Sequence, residues 1–302
     1  MVGRTSSSVV YEVSMLMAIS ELGWEYDGEE DIKMPDESWN EYVIDLYHEE
    51  AFTFQHGMSE LPRAIADDLG DRLVMNATVF DVRRSGDIYV VKYQDKNQNT
   101  VTLQSNSVIL AVPAPIALQI APTIITGVKR EFMENINYAE YMTVNMFSDD
   151  PIQDFTFDLS LPGDYFVMDF YDSLWVEKWE DPDNPLNDEV FITTAFISGH
   201  SYKDEIVSMT DQEIMNQICA DLDEIFPGAS SKVTKYEINR FEHGYPVFGL
   251  GAFHDIQYLN SLNDESTTFM LTGDYMSLPT TEAAMIHAEY IAKRVDVGDP
   301  HP

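Results

Sequence analysis

The sequence predicts a mixed fold that combines α+β and α/β features, on the strength of three observations. Apolar residues recur at helical spacing in four segments, namely 8–23, 59–70, 211–226 and 281–295. Between 76 and 112 the period changes to that of short strands. From 141 to about 234, further strand candidates alternate with the third helix, which is typical of an antiparallel sheet with an attached helix.

Length and composition limit the class of protein. With 302 residues and a hydrophobic fraction of 44%, the chain is long enough for two interleaved domains with a sizeable core. Polar residues and prolines interrupt the longest apolar runs before they reach the ~20 residues of a spanning helix. The first residues lack the apolar core and small-residue cleavage site of a secretory signal. We therefore expect a cytoplasmic protein without a transmembrane segment.

Cysteine occurs once, at Cys219, which excludes an internal disulfide and a cysteine-rich metal site. Apolar residues surround Cys219 at helical spacing, so we expect it to be packed rather than catalytic or linked to a cofactor. The seven histidines are dispersed, and no metal site is predicted. His243, His254 and His287 are each compatible with a ligand, a base or an ordinary hydrogen-bonded histidine.

The charge is unusual for a globular protein. There are 53 acidic and 17 basic residues, and the resulting net charge of −36 is spread along the chain. This argues against a nucleic-acid partner. Molar salt screens charges beyond a Debye length of about 3 Å, so the composition suits a halophilic source. A solubilising acidic surface without functional meaning explains it equally well.

The first half of the chain begins with helices. Ser7 or Ser8 can cap a first helix that ends near Gly23, and an acidic, proline-containing loop follows over 27–40. The second helix begins after Ser59 and stops at Gly70. Its inward face would carry Leu61, Ile65 and Leu69.

Short strands follow over 76–112, where turn sequences at 85–87 and 95–99 predict an antiparallel meander. The apolar run 108–112 is typical of a strand that is buried on both faces, and Pro113 and Pro115 end it. Further on, Thr210 and Glu213 form the capping box of the third helix, which Pro227 and Gly228 end. The last helix would face inward with Ala284, Met285, Ala288, Ile291, Ala292 and Val295.

The most distinctive arrangement is the strand–loop–helix at 268–295. The strand 268–272 breaks at Gly273, which permits close approach of a ligand, and Asp274 can accept hydrogen bonds from hydroxyls. The helix then opens at 280–282, where free backbone N–H groups can bind an electron-rich edge or a phosphate. Any capped helix after a strand shares these features. No hydrolase motif is present, and the sequence assigns no catalytic residue.

Four segments in this order, 54–66, 76–83, 107–113 and 271–284, resemble the flavin-containing amine oxidase superfamily. That superfamily includes amine and amino-acid oxidases, protoporphyrinogen oxidases and carotenoid desaturases. The resemblance covers 8–295. It implies FAD as cofactor and a partial FAD-binding, Rossmann-like domain interleaved with a substrate domain of antiparallel sheet and helices. The FAD-domain portions would be 51–125 and 251–302, and the substrate-domain portions 1–50 and 126–250.

The resemblance also implies site residues. Gly57 and Met58 match the turn beside the flavin, and Val79 matches the residue whose backbone meets the adenine. Thr281 matches the residue whose N–H faces the flavin pyrimidine carbonyl. The predicted cofactor-binding residues are thus Gly57, Met58, Val79, Gly273, Asp274, Thr280, Thr281 and Glu282. Tyr245 and Phe248 are candidates for walls of a substrate cavity, or are ordinary packing aromatics.

Three departures from the family pattern qualify this expectation. His56 replaces a glycine of the turn beside the flavin. No lysine lies between Lys129 and Lys178, which favours a desaturase-like or protoporphyrinogen-oxidase-like enzyme over an oxygen-reactive amine oxidase. The N-terminal G-x-G-x-x-G is missing, and the nearest string, 249–254, is predicted to be a loop.

We therefore expect the C-terminal part of an FAD-dependent oxidoreductase that transfers hydride from a C–N or C–C bond of a small organic molecule to flavin N5. The missing dinucleotide-binding half would lie upstream in a longer gene product or on a partner chain. The alternative is a non-catalytic binding or assembly subunit that kept the fold and lost the cofactor.

Overall fold

A computed structural model describes residues 54, 57–153, 158–161, 165–175, 178, 183–184, 189–198, 206, 208–249, 251–264 and 268–295. The helices are α1 Glu60–Leu69, α2 Ala114–Ile120, α3 Gly127–Glu134, α4 Asp211–Ile225, α5 Ala252–Asp264 and α6 Thr281–Ala292. The strands are β1 Thr78–Ser85, β2 Ile88–Gln94, β3 Thr100–Ser105, β4 Val108–Leu110, β5 Asn137–Ser148, β6 Asp158–Ser160, β7 Asp169–Asp172, β8 Phe191–Ser198, β9 Val233–Val247 and β10 Phe269–Leu271. This mixture of helices and antiparallel sheet confirms the predicted fold class.

Helix α1 begins after Ser59 and ends before Gly70, as predicted, although the Ser59 side chain makes no capping hydrogen bond. The predicted inward face is wrong within the described part of the chain. Helix α1 has no buried residue, and Ile65 is 49% exposed. The predicted helix at 8–23 and the loop at 27–40 lie outside the described residues.

The meander is confirmed. Strands β1, β2 and β3 form an antiparallel sheet in that order. Gly86 turns the first hairpin at φ +64°, a conformation that favours glycine. In the second turn, the Asp95 carboxylate accepts hydrogen bonds from the backbone N–H groups of Asn97 and Asn99. Each turn therefore follows from residues that its own sequence supplies.

Strands β4 and β10 form a parallel pair, in which Val108 lies opposite Phe269 and Leu110 opposite Leu271. The prediction that β4 is buried on both faces is wrong for the described residues, because Ile109 is 39% exposed. Leu110 points the other way, into a core shared with β1, β2, α2 and β10. One face of β4 is thus packed, and the other is only partly covered.

The second sheet has the order β6-β7-β8-β5-β9 and is antiparallel throughout. Helix α4 packs against one face of it through Ile214, Ile218 and Leu222. The predicted capping box is confirmed: Glu213 N–H donates to Thr210 Oγ1 at 3.3 Å, and Thr210 N–H donates to Glu213 Oε2 at 2.8 Å. Cys219 is half-buried against this core, in agreement with the packing interpretation.

Three helices were not predicted. The sequence predicts only that Pro113 and Pro115 end β4, but in the structure Pro113 precedes α2 and Pro115 lies in its first turn, where a missing N–H costs little. Helix α3 follows from 127. Helix α5 begins at Ala252 after Gly251, whose φ is +90°. The loop predicted over 249–254 is therefore wrong from Ala252 onward.

Helix α6 begins at the predicted Thr281 and ends at Ala292 rather than near Val295. Its predicted inward face is largely wrong for the described structure. His287 and Ile291 are buried, Met285 is 51% exposed, and Ala288 and Ala292 are also exposed. The helix turns a histidine rather than an unbroken apolar stripe towards the core.

Candidate functional site

The loop at 273–280, which joins β10 to α6, takes a conformation that only glycine accommodates easily at its first position. Gly273 has φ +147° and ψ −179°. A Cβ added there would lie 3.1 Å from Cε1 and 3.3 Å from Cδ1 of the Tyr275 ring, which is itself buried. A short 3₁₀ turn, Asp274–Met276, follows. The predicted break at Gly273 is thus a sharp turn whose backbone lies against an aromatic ring.

The carboxyl group of Asp274 is held at the start of this turn. Asp274 Oδ1 accepts a hydrogen bond from Tyr275 N–H at 2.8 Å. Burial raises the pKa of Asp274 above its usual value, against the opposing effect of backbone hydrogen bonds. A half-buried carboxylate whose donors are the backbone N–H groups of Tyr275 and of Asp274 itself retains unused acceptor capacity, so it can bind a ligand's hydroxyl groups.

Two tyrosines from β5 and β9 lie near Asp274. Burial raises the pKa of both Tyr138 and Tyr245, and the Asp274 charge raises it further. The Tyr138 hydroxyl also accepts a hydrogen bond from Ala114 N–H at 3.1 Å. The structure therefore brings Asp274, predicted for the cofactor, close to Tyr245, predicted for the substrate cavity.

The amino end of α6 offers backbone donors. Thr280 Oγ1 accepts from Ala283 N–H at 3.1 Å, so this hydroxyl caps the helix. The N–H groups of Thr281 and Glu282, in the first turn, have no acceptor within the helix, and both residues are exposed. The helix has 12 residues, and its dipole adds to the attraction of these donors for an electron-rich group.

Two buried hydroxyl groups of the same loop lack hydrogen-bond partners among the residues that the structure describes. They are the Tyr275 OH and the Ser277 Oγ. Burying such a group without a partner costs free energy, so an unsatisfied hydroxyl next to a candidate site fits a ligand that completes the bond. Together with Gly273, Asp274 and the first turn of α6, these groups fit a flavin dinucleotide, which carries ribityl hydroxyls, phosphates and ring carbonyls.

On the sheet side of the loop, aromatic rings form a row. Tyr245 contacts Tyr141 edge to face with ring centroids 5.3 Å apart, and Tyr141 contacts Phe196 in the same way at 5.0 Å. Tyr171 extends the row at 5.2 Å from Phe196. Gly244 permits this packing, because a Cβ there would collide with the Tyr141 side chain. The rings are half-buried and create an apolar surface that begins beside Asp274.

Phe248, the second cavity candidate, is buried. It packs against Ile256 of α5 and Leu278 of the 273–280 loop. Val79 is half-buried on β1 and packs against the core that includes Leu271 and Tyr275. Gly57 and Met58 precede α1: Gly57 has φ +86°, and Met58 is 61% exposed. The structure therefore brings Phe248 and Tyr245 to the loop, places Val79 against the core from which the loop emerges, and places the 57–58 turn at the start of α1.

The three histidines that the sequence left open differ in their surroundings. His287 is buried, and burial lowers its pKa. Both of its ring nitrogens are hydrogen-bonded, Nδ1 to Thr272 and Nε2 to Asn260. The His243 ring lies 5.3 Å from the Tyr138 ring, and the His254 side chain is 83% exposed. Within the described residues, no group of three or more potential ligands is arranged for a metal ion.

Sequence reasoning missed Tyr138, Tyr275 and Ser277 as members of this site, and also Asn260 and Asn263. For the asparagines a signal was available. Ile256, Leu259 and Asn263 fall at helical spacing after Gly251, so a helix with a polar position on its inward face could have been predicted. For Tyr138 no local signal exists, because only the tertiary fold brings it to Asp274.

Comparison with known proteins places the chain in a family. The family described as flavin containing amine oxidoreductase matches residues 8–295. The chain belongs to this family, which confirms the resemblance and the flavin cofactor predicted from the sequence. No curated protein matches the chain significantly.

Solved structures share the fold. A protein described as a protoporphyrinogen oxidase from Exiguobacterium sp. 255-15 has a TM-score of 0.61 at 16% identity over 80% of this chain and 51% of its own. A putrescine oxidase variant scores 0.62 at 16% identity over 79% and 52%. Cyclohexylamine oxidase from Brevibacterium oxydans IH-35A scores 0.60 at 16% identity over 78% and 52%. The chain spans about half the length of these structures, and at this identity the likeness establishes the fold alone.

None of the described helices is both long and apolar enough to cross a membrane.

Proposed function

We propose that this chain supplies the distal FAD contacts and the substrate side of an oxidoreductase that removes hydride from a C–N or C–C bond of a small organic molecule. The observation that carries the proposal is the 273–280 loop. It combines a glycine-specific turn, a half-buried carboxylate, two unsatisfied hydroxyls and the amino end of a 12-residue helix. Family membership supplies the flavin.

Each part of the loop has a separate task in binding. Asp274 accepts hydrogen bonds from cofactor hydroxyls, and such bonds favour its ionised form against burial. Thr281 and Glu282 offer N–H groups to an electron-rich ring edge, and the helix dipole stabilises charge that develops there. Because Gly273 has no side chain, its backbone can lie close to the Tyr275 ring. The turn therefore leaves space for the cofactor. Thr280 acts through its cap, which fixes the first turn of α6.

The aromatic row fits the substrate side. Tyr245 is close to Asp274, and Tyr141 and Phe196 extend an apolar surface away from it. Rings arranged in this way bind flat or extended organic groups and exclude water from the reacting bond. The bound flavin supplies the hydride acceptor, while the residues of this chain orient the substrate. The absence of a lysine from β5 supports a desaturase-like or protoporphyrinogen-oxidase-like reaction.

We further propose that β4 and β10 are part of a Rossmann-like dinucleotide-binding sheet. A pair of parallel strands does not form a stable sheet without further strands and helices. The partial exposure of Ile109 supports additional packing on that face. The remaining strands would come from an upstream segment of a longer gene product or from a partner chain.

Flavin binding tests the proposed function directly. The chain is mixed with FAD in low and in molar salt, with and without a candidate dinucleotide-binding partner, and the visible spectrum and flavin fluorescence are recorded. We expect quenched fluorescence and a shifted spectrum in at least one condition. Absence of binding in all four conditions would contradict the proposal and favour a non-catalytic subunit.

Salt dependence tests the origin of the acidic surface. A net charge of −36 produces self-repulsion that molar salt screens. If the surface is a salt adaptation, the melting temperature should rise steeply up to molar sodium or potassium chloride. A flat profile would instead indicate that the acidic residues serve solubility only.

A further inference from the structure

Helix α5 contacts the strand–loop–helix unit through two asparagines that are one helical turn apart. Asn263 Nδ2 donates to the Leu271 carbonyl at 2.8 Å, and Asn263 Oδ1 accepts from Leu271 N–H at 3.1 Å. Asn263 is completely buried, so both bonds are shielded from water. Asn260 lies three residues earlier on the same helical face and bonds to the loop itself.

The Asn260 amide connects the loop to α6. Its Nδ2 donates to the Met276 carbonyl at 3.0 Å, which leaves Oδ1 as the acceptor facing His287 Nε2 at 2.9 Å. This assigns the hydrogen of neutral His287 to Nε2. Nδ1 is then an acceptor for the Thr272 hydroxyl at 2.8 Å. Every polar group in this cluster of Asn260, Asn263, Thr272 and His287, hereafter the Asn–His cluster, has a partner of matching type.

We infer that Asn260 and His287 are positioning residues that hold the 273–280 loop in its cofactor-binding conformation. The inference rests on the proposed function, because only that function gives this conformation a role in cofactor binding. The hydrogen bonds that hold the loop do not depend on it. The cluster contains Thr272 before the loop and His287 after it, and it bonds to Leu271 before the loop and to Met276 within it. It therefore fixes the loop relative to β10, α5 and α6 at the same time.

The loop has few bonds of its own that could replace the cluster. Its described backbone bonds are local: Met276 N–H to the Gly273 carbonyl, Ser277 N–H to the Asp274 carbonyl, and Thr280 N–H to the Leu278 carbonyl. These bonds set turns within the loop, and the Thr280 carbonyl, which accepts from Ala284 N–H at 3.1 Å, attaches only the end of the loop to α6. The buried side chains of Tyr275 and Met276 attach it through apolar contacts, which are less directional than hydrogen bonds.

The second ring nitrogen of His287 links the cluster to β10. Because the pKa of His287 is lowered by burial, the neutral ring that accepts from Thr272 is the form present at neutral pH. Leucine at 260 fills similar space but removes the bonds to Met276 and to His287, whereas phenylalanine at 287 removes the bonds to Asn260 and Thr272. Glutamine at 287 can still donate to Asn260, so it is the conservative replacement.

The test compares hydrogen exchange and flavin affinity in the full chain. Asn260→Leu removes the bonds to Met276 and His287, His287→Phe removes those to Asn260 and Thr272, and His287→Gln retains the donor to Asn260. Thr210→Ala is the control, because it destabilises α4, which packs on the other sheet, through loss of a helix cap. We expect the hydrogen-bonded amides within 273–282, those of Tyr275, Met276, Ser277 and Thr280, to exchange roughly tenfold faster in Asn260→Leu and His287→Phe. We also expect FAD to bind about tenfold more weakly, as for loss of one buried hydrogen bond.

The outcomes separate the cluster from the flavin proposal. Selective acceleration at 273–282 with near wild-type behaviour of His287→Gln supports the inference. Acceleration spread evenly over the chain, as in Thr210→Ala, or unchanged exchange at 273–282, would overturn it. If the wild-type chain binds no FAD, the proposed function fails, and the exchange data alone still decide whether Asn260 and His287 position the loop.

Discussion

Gly273→Ala is expected to abolish measurable flavin binding and to destabilise the chain by about 2 kcal/mol, the typical cost of a residue forced into a sparsely populated backbone conformation. The φ of +147° is rarely adopted by residues with a side chain. The new methyl would also press on Tyr275, which is 1% exposed and has little room to move. The loop must therefore shift and take Asp274 and the first turn of α6 with it. Urea denaturation and an FAD titration measure the two effects.

Gly251→Ala is the matched control for this substitution. Gly251 has φ +90°, and a Cβ there would meet no atom within 4 Å, so the same kind of backbone cost arises without a collision. The control should lose stability but keep its flavin affinity. Equal flavin affinity in Gly273→Ala and wild type would show that the conformation at Gly273 is irrelevant to the cofactor.

Asp274→Asn is expected to move flavin affinity and stability in opposite directions. Loss of a charged acceptor should weaken FAD binding by about 10- to 100-fold, as for hydrogen bonds to charged groups. The cofactor-free chain should become more stable at neutral pH, because burial makes ionisation of Asp274 unfavourable in the folded state. Isothermal titration and thermal unfolding of the apoprotein give the two quantities.

The pH dependence gives the second test of this substitution. The folded pKa of Asp274 is raised above 3.8, so its contribution to stability is present below pH 3.8 and is lost as pH rises through the folded pKa. The stability difference between Asp274→Asn and wild type should therefore vanish in acid and grow towards neutral pH. Asp255→Asn on α5, where the side chain is 47% exposed, is the control and should keep the wild-type flavin affinity. A difference that does not change with pH would contradict the assignment.

Elements whose stabilising groups are close in sequence could be predicted. The capping box of α4 needs only Thr210 and Glu213, and each hairpin turn is specified by its own residues, such as Gly86 and Asp95. The break of the chain direction at Gly273 could likewise be predicted from nearby residues. In each of these cases, the two groups that fix the conformation are only a few residues apart. A short stretch of sequence is therefore enough to predict it.

Elements that depend on distant partners could not be predicted in the same way. Helix α5 presents Asn260 and Asn263 to the interior, where an apolar stripe is the usual sign of a buried helical face. These side chains are suitable there only because backbone groups of Leu271 and Met276 and the ring of His287 satisfy them. His287 in turn displaced the alanine and methionine face expected for α6. Polar residues that bond to one another across elements resemble surface residues in a sequence.

The residues of the candidate site fall into the same two groups, those that nearby sequence specifies and those that only the tertiary fold brings together. The loop residues Gly273, Asp274 and Thr280 were recognisable from sequence order and family resemblance. Tyr138, which lies near Asp274, comes from a strand more than a hundred residues earlier, and its role follows from the pairing of β5 with β9. The proposed cofactor side of the site is thus largely local in sequence, whereas the proposed substrate side is assembled by the five-stranded sheet.

The two hydrogen bonds between Asn263 and Leu271 also limit how the parallel sheet can grow. One edge of β10 pairs with β4, while on the opposite edge the N–H and carbonyl of Leu271 are occupied by the Asn263 amide. An open strand edge is a template for pairing with other chains, and a side-chain amide at that position blocks it. The Asn263 amide thus opposes strand addition at Leu271 on the outer edge of β10, and the further strands that we propose for this sheet would join beside β4.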